Sequence, residues 1–296
     1  MPEHFRIVQI CVVSGKGGTG KTTVAAMAVE NLNNLLVADV DVDAPNLHIL
    51  LKPRILREIP FIGSKKARIN ENKCSKCDLC RNVCRFNAIT IINGNYTIDD
   101  VKCSGCSLCY HVCSSNAITM EDVVSGKIYI SETNFCPMVH AILNPGEENS
   151  GKLVAEVRKI AKNIAEDKKI DKIVLDGPPG IGCPVIASLT GVDLALVIVE
   201  PTLSGLSDMA RIVDLATHFN IRTVIAVNKF DLNKDMSAKI EKYCQSRKID
   251  VLAKIPYDDE IVKQMSSLTF PFKGKAAEEI SKLWSKINDI INELQS

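Results

Sequence analysis

The chain has 296 residues, 46% of them hydrophobic, which is enough to bury a substantial core and excludes a disordered polar chain. Its 36 Lys and Arg nearly cancel its 35 Asp and Glu, so no global field draws it to nucleic acid or anionic lipid. No apolar run approaches the roughly 18 residues of a membrane span, and twelve cysteines in what reads as a cytoplasmic protein point to metal ligands or reactive groups rather than disulfides.

In chain order, the apolar stretch FRIVQICVV lacks a small-residue cleavage site and predicts a first strand from Ile7 to Val13. It runs into VVSGKGGTGKTT, which contains G-x-x-x-x-G-K-[ST] as Gly15, Gly20, Lys21 and Thr22, and a helical pattern follows from Thr22 to Leu32. Strand, glycine-rich loop and helix in this order make a phosphate cradle. Backbone N–H groups of Gly15, Lys16, Gly17, Gly18, Thr19 and Gly20 turn inward, Lys21 neutralises phosphate charge, Thr22 ligates Mg²⁺, and Thr23 completes the nucleotide-binding set. A second strand, Leu35 to Asp39, opens the acidic segment ADVDVDAPNL, with Asp41 and Asp43 after it.

The stretch from about 62 to 131 breaks this pattern. Within it, KCSKCDLCRNVCRFNAIT from Lys73 recurs as KCSGCSLCYHVCSSNAIT from Lys102, an internal duplication that repeats every cysteine of the first copy 29 residues later. Both copies read C-x₂-C-x₂-C-x₃-C, the spacing at which three thiolates of one loop meet a cubane while the fourth cysteine ligates the other cluster. That assigns Cys74, Cys77, Cys80 and Cys113 to one [4Fe–4S] cluster and Cys103, Cys106, Cys109 and Cys84 to a second. Zinc is the alternative, although tetrahedral zinc does not need four cysteines at this spacing twice. The usual proline after the fourth cysteine is Arg85 in one copy and Ser114 in the other.

Beyond the module, helices are predicted at Lys152 to Ala165, Ser204 to Phe219 and Ala276 to Leu294. Strands are predicted at Lys172 to Asp176, Leu194 to Val199, Thr223 to Val227 and Asp250 to Ile255. The alternation argues for an α/β fold with a mainly parallel sheet and helices on both faces, residues 1–61 and 132–296, interrupted by an α+β ferredoxin-like domain at 62–131. Asn228 to Asp231 fits the NKxD pattern that holds guanine. The last helix is read as core-packed rather than as a membrane anchor, because its polar face mixes Glu and Lys.

The second loop lysine, Lys16 in KGGTGKT, makes the loop resemble the deviant Walker motif of the MinD, ParA, Mrp and nitrogenase iron-protein superfamily, and the cysteine module resembles members with an inserted ferredoxin domain. The likeness runs through PGEENSGKLV (145–154) and VEPTLSG (199–205). It implies a P-loop ATPase working as a homodimer with MgATP at the interface. Lys16 then reaches the partner's phosphates, Asp41 in switch I helps position water and Mg²⁺, and Asp176 of IVLDGPPG holds Mg²⁺. Asn228 and Pro256, in IPYD, lie against adenine, so that ATP is preferred over GTP. The nitrogenase iron protein also has a cysteine at the offset of Cys183 from Asp176. Cys136 and Cys183 are therefore candidates for a third cluster bridging a dimer, or else two small buried side chains, as Cys11 and Cys244 are taken to be.

Three functions follow. Nucleotide state gates electron transfer from the clusters to an unidentified partner protein, which the duplicated module favours. Alternatively, the chain is an Mrp-like carrier of clusters or another metal cofactor, or a positioning ATPase whose clusters sense redox state.

Overall fold

A computed structural model describes residues 6–147, 150–270 and 272–296; Phe5 of the FRIVQICVV stretch and Glu148 and Asn149 of the 145–154 segment lie outside the described residues. The chain forms two compact units, residues 1–58, 128–142 and 150–296, and residues 59–127 with 143–149.

The first unit is built on parallel strands: β1 (Val8–Ser14), β2 (Leu35–Asp39), β7 (Pro137–Leu143), β8 (Lys172–Pro179), β9 (Leu194–Val199), β10 (Arg222–Asn228) and β11 (Asp250–Ile255). Two long strands, β3 (Arg54–Ile69) and β6 (Ile118–Glu132), have residues in both units and complete the sheet order β11-β10-β9-β1-β8-β2-β7-β6-β3. β1, β2, β8 and β9 read as nearly continuous apolar runs because helices cover both of their faces. Val8, Ile10 and Val12 of β1 join the core formed with the helices Lys21–Ala26, Ala28–Asn31 and Lys275–Gln295. The alternate residues Gln9 and Cys11 meet Arg158 and Ser188 from the helices Ser150–Lys168 and Cys183–Leu189.

The helix expected from Thr22 to Leu32 is two short helices with Met27 between them. The terminal helix carries Ile280, Leu283, Trp284, Ile287 and Ile291 into the core, and Trp284 Nε1 donates to the Val24 carbonyl at 2.8 Å. Each such side chain contributes about 1.5–3 kcal/mol of burial, so this face is spent inside the protein. No helix among the described residues is long and apolar enough to cross a membrane. Where helices begin, side chains close the open N–H groups: Thr202 accepts from Gly205, Asn233 from Met236 and Asp258 from Glu260.

The second unit holds the duplication. Each copy folds into a short helix, Leu79–Asn82 and Leu108–Val112, and a two-stranded antiparallel ribbon of β4 (Ile89–Ile92) and β5 (Asn95–Ile98) follows the first.

Near the end of β2, the buried His140 imidazole is stacked between His48 (5.1 Å) and Tyr129 (4.9 Å). Burial, with a smaller push from His48, lowers its pKa from 6.5 to about 4. The native chain thus stays neutral where the unfolded chain takes up a proton. This contribution to stability is complete above pH 6.5 and falls as pH drops toward 4, by on the order of 3 kcal/mol at about 1.4 kcal/mol per unit. His140→Phe keeps the stack and should flatten that slope. Urea unfolding of both proteins at about pH 7 and about pH 5 checks this, and an equal acid loss in the variant would contradict it.

Candidate functional site

β1 lies between β8 and β9, so the loop leaving its C-terminal end emerges where successive crossovers depart to opposite sides, the place at which open α/β sheets bind ligands. A cavity of about 540 Å³ opens there. Gly17, Gly18, Thr19, Gly20, Lys21, Thr22 and Thr23 line it, and Asp41, Asn228 and Pro256 also reach it. Gly20 caps the helix start at φ 88°, a left-handed value that side chains resist, and a Cβ there would stand 2.4 Å from Asn228 Nδ2.

The charges of the site are paired within the chain. Lys21 Nζ lies 3.0 Å from Asp176 Oδ1 and 3.6 Å from Asp41 Oδ2. Burial works against the Lys21 ammonium, but those two carboxylates outweigh it and hold its pKa above the ordinary lysine value. Asp176 stands beside Asp39 in register on β8 and β2. Burial raises the Asp39 pKa well above the usual carboxylate range, and the neighbouring Asp176 adds to the rise; Asp39 accepts the N–H groups of Asp41 and Leu47 and so shapes the turn that carries Asp41. Burial also raises the Asp41 pKa, against the pull of Lys21. The other Asp176 oxygen, Oδ2, is buried without a hydrogen-bond partner among the described residues. A carboxyl oxygen left open beside a phosphate-type cradle fits a hydrated divalent cation.

Lys16 bonds within its own chain: its Nζ lies 3.2 Å from Glu200 Oε2 and donates to Thr202 Oγ1 at 3.4 Å. The other Glu200 oxygen receives Lys229 Nζ at 2.5 Å, and Lys229 also reaches the Gly18 carbonyl at 3.4 Å. Burial opposes ionisation of Glu200, but these two lysines hold its pKa below the usual glutamate value. Glu200 lies within VEPTLSG, but a lone acid at a strand end carries no pattern that marks its partners. Asn228 faces the loop: Nδ2 donates to the Thr19 carbonyl at 2.7 Å and Oδ1 accepts the Lys229 N–H at 3.0 Å. One amide hydrogen and one oxygen lone pair thus hold the loop, and one of each remains on the side chain, which lines the cavity. Asp231 accepts the Tyr257 N–H at 2.8 Å, which ties the NKxD segment to the strand end at Pro256.

In the second unit, Cys74, Cys77, Cys80 and Cys113 line one small cavity, and Cys84, Cys103, Cys106 and Cys109 line another. Backbone amides approach two of the sulfurs: Ala88 N–H donates to Cys84 Sγ at 3.4 Å and Ala117 N–H to Cys113 Sγ at 3.3 Å. Burial raises the Cys80 and Cys109 thiols, and nearby cysteines add to it: Cys74 and Cys77 for the first, Cys103, Cys106 and Cys80 for the second. Among the described residues no three His, Cys, Asp or Glu side chains form a group that could hold a single metal ion.

Cys136 and Cys183 are not brought together. Cys136 precedes Met138, which is opposite Val37, so it lies toward the N-terminal end of β2, whereas Cys183 follows the C-terminal end of β8. At about 3.3 Å per residue, the length of the parallel strands separates them. Cys136 is a core residue whose thiol burial pushes up to about 11, and Cys183 is exposed. Within one chain, therefore, the structure does not bring the two thiols of the candidate bridging site together. Cys11 and Cys244 are buried in packing.

Comparison with known proteins agrees with this architecture. The family model for the CobQ/CobB/MinD/ParA nucleotide binding domain matches residues 10–272. The uncharacterized protein MJ0578 of Methanocaldococcus jannaschii is 34% identical, over 96% of this chain and 98% of its own. The uncharacterized ATP-binding protein MJ0823 of the same organism is 25% identical, over 95% and 98%. Among solved structures, the septum site-determining protein MinD of Pyrococcus horikoshii complexed with Mg-ADP superposes with a TM-score of 0.57 at 17% identity, covering 98% of this chain and 99% of that one, a likeness of fold. The loop, the acids at the strand ends and the extent of these matches together make the chain a member of the CobQ/CobB/MinD/ParA nucleotide-binding family.

Proposed function

We propose that the chain is an ATP-binding iron–sulfur protein, an ATPase whose nucleotide state gates electron transfer from two [4Fe–4S] clusters to a partner protein. The observation that carries the reading is the pair of cavities in the second unit, each lined by four cysteines drawn from both copies of the duplication. Eight thiols in two sets of four, at the spacing of cluster loops and with N–H···S contacts, fit as donors for two cubanes, with Cys74, Cys77, Cys80 and Cys113 holding one and Cys84, Cys103, Cys106 and Cys109 the other. When bound, such clusters supply one-electron redox chemistry.

The nucleotide half rests on the cradle. Backbone N–H groups from Gly15 to Lys21 would hold the phosphates, and Lys21 would turn from Asp176 and Asp41 toward them. Thr22, Asp41 and Asp176 would hold Mg²⁺, with the open Asp176 oxygen reached through water. Adenine is preferred because MJ0823 is described as ATP-binding and the MinD relative binds Mg-ADP. Pro256 and Asn228, which both line the cavity, would border the base, Asn228 while also holding the loop. Lys16 would leave Glu200 to reach across a homodimer, so hydrolysis is slow in the free chain.

A carrier function loses the labile surface pair that favoured it, since Cys136 is buried. A positioning ATPase with redox-sensing clusters stays as the second reading, favoured by the fold shared with a septum site-determining protein.

Iron and acid-labile sulfide, counted on protein isolated without oxygen, test the reading: about eight of each per chain are expected from two cubanes, and zinc in their place overturns it. Gly20→Ala tests the cradle. The left-handed φ costs about 1–3 kcal/mol for a side chain, and the new Cβ displaces Asn228. MgATP affinity should fall about tenfold or more by calorimetry while the iron count stays unchanged.

A further inference from the structure

The duplication makes the two cysteine sites alike in sequence, and one buried charge makes them unlike. Lys66 on β3 is 7% exposed. Its Nζ donates to the carbonyls of Asp100 and Cys103, each at 2.9 Å, and the third group facing it is the Glu147 carboxylate at 3.7 Å, itself bonded to the Ser64 hydroxyl. A buried ammonium needs such partners, and once it has them it fixes the backbone that supplies them.

That backbone is the start of the Cys103, Cys106 and Cys109 loop. The neighbouring Ala67 lines the same cavity. The strand also presses on the loop: Gly105 has φ +71°, and a Cβ there would lie 2.0 Å from the Lys65 carbonyl oxygen. The matching position of the first copy is Lys76, which holds a left-handed φ of 55° with an exposed side chain. The second loop is thus packed under β3 with a cation buried against it, whereas the lysine of the first loop stands in water, where its field is screened.

We propose that Lys66 sets the two sites apart: it positions the Cys103 loop and raises the reduction potential of the cluster held by Cys84, Cys103, Cys106 and Cys109 above that of the other. The proposal rests on the iron–sulfur reading. Electrostatics gives the sign, because adding an electron makes a cluster more negative and a fixed cation nearby favours that form. Lys66 is a positioning and tuning residue. The electron comes from the titrating reductant, one per cluster, and no bond forms or breaks.

The experiment is an anaerobic dithionite titration of the whole, iron-replete chain, read by EPR with an iron count, for wild type, Lys66→Met and Glu147→Gln. Lys66→Met should move one of the two midpoints negative by at least a tenfold change in its oxidised-to-reduced ratio, about 59 mV for a one-electron couple, and leave the other unmoved. Glu147→Gln should move the same midpoint positive, and it keeps the test open should Lys66→Met lose that cluster. Two midpoints that ignore both substitutions overturn the role of Lys66 while the clusters stand. A wild-type chain without iron overturns the underlying reading instead.

Discussion

Lys21→Met is expected to lower MgATP affinity about 100-fold or more and to abolish hydrolysis, leaving the cysteine sites intact. Lys21 is buried between Asp176 and Asp41, with Asp39 adjacent in register to Asp176. Deleting the ammonium removes a charge-assisted contact to phosphate, worth about 1.5–3 kcal/mol, and leaves acidic side chains facing a polyanion. Because breaking a buried pair costs about 3–5 kcal/mol, the variant should also unfold at lower denaturant. Calorimetry with MgATP, beside an iron count showing that the second unit is intact, checks the result. An affinity within threefold of wild type would contradict the role of Lys21.

Cys113→Ser should remove the cluster of the first cysteine copy although the substitution lies in the second. The Cys113 sulfur shares a cavity with Cys74, Cys77 and Cys80. Burial pushes its thiol pKa up, but the Ser115 hydroxyl and the amides of Ala117, Ser115 and Ile118 overcome this and bring it below the ordinary cysteine value, suiting a thiolate ligand. Iron should fall by about four per chain, and Cys84→Ser should remove the other four. Cys183→Ser should leave the count unchanged, since Cys136 lies toward the other end of the strands. Iron analysis with EPR of the three variants decides this. Full iron in Cys113→Ser would break the assignment.

What the sequence discloses depends on how strongly each segment is constrained. Apolar runs mark β1, β2, β8, β9 and β10, because strands covered on both faces leave no other choice. β3 and β6 escape such a reading: most residues of Arg54–Glu58 and many of Ile118–Glu132 are exposed, so neither run nor period marks them. The helices Lys234–Ser246 and Asp259–Ser266 escape too, as few of their residues are buried. At the site, the glycine loop is legible because only glycine suits Gly20, and the acids after β2 and within β8 follow from strand position. The partners of Lys16 and Asn228 are not legible. Glu200 and Thr19 meet them only after long stretches of chain are folded together, and an offset such as that of Cys183 carries no information about which edge of the sheet a second cysteine occupies.

The measurement that bears most directly on a nucleotide-gated iron–sulfur protein is an anaerobic redox titration followed by EPR, with and without MgATP, on chain of known iron content. Two low-potential cubane signals whose midpoints or coupling shift on adding MgATP, and do not shift in Lys21→Met, are the predicted result. Clusters whose potentials ignore MgATP while the nucleotide binds would contradict gating.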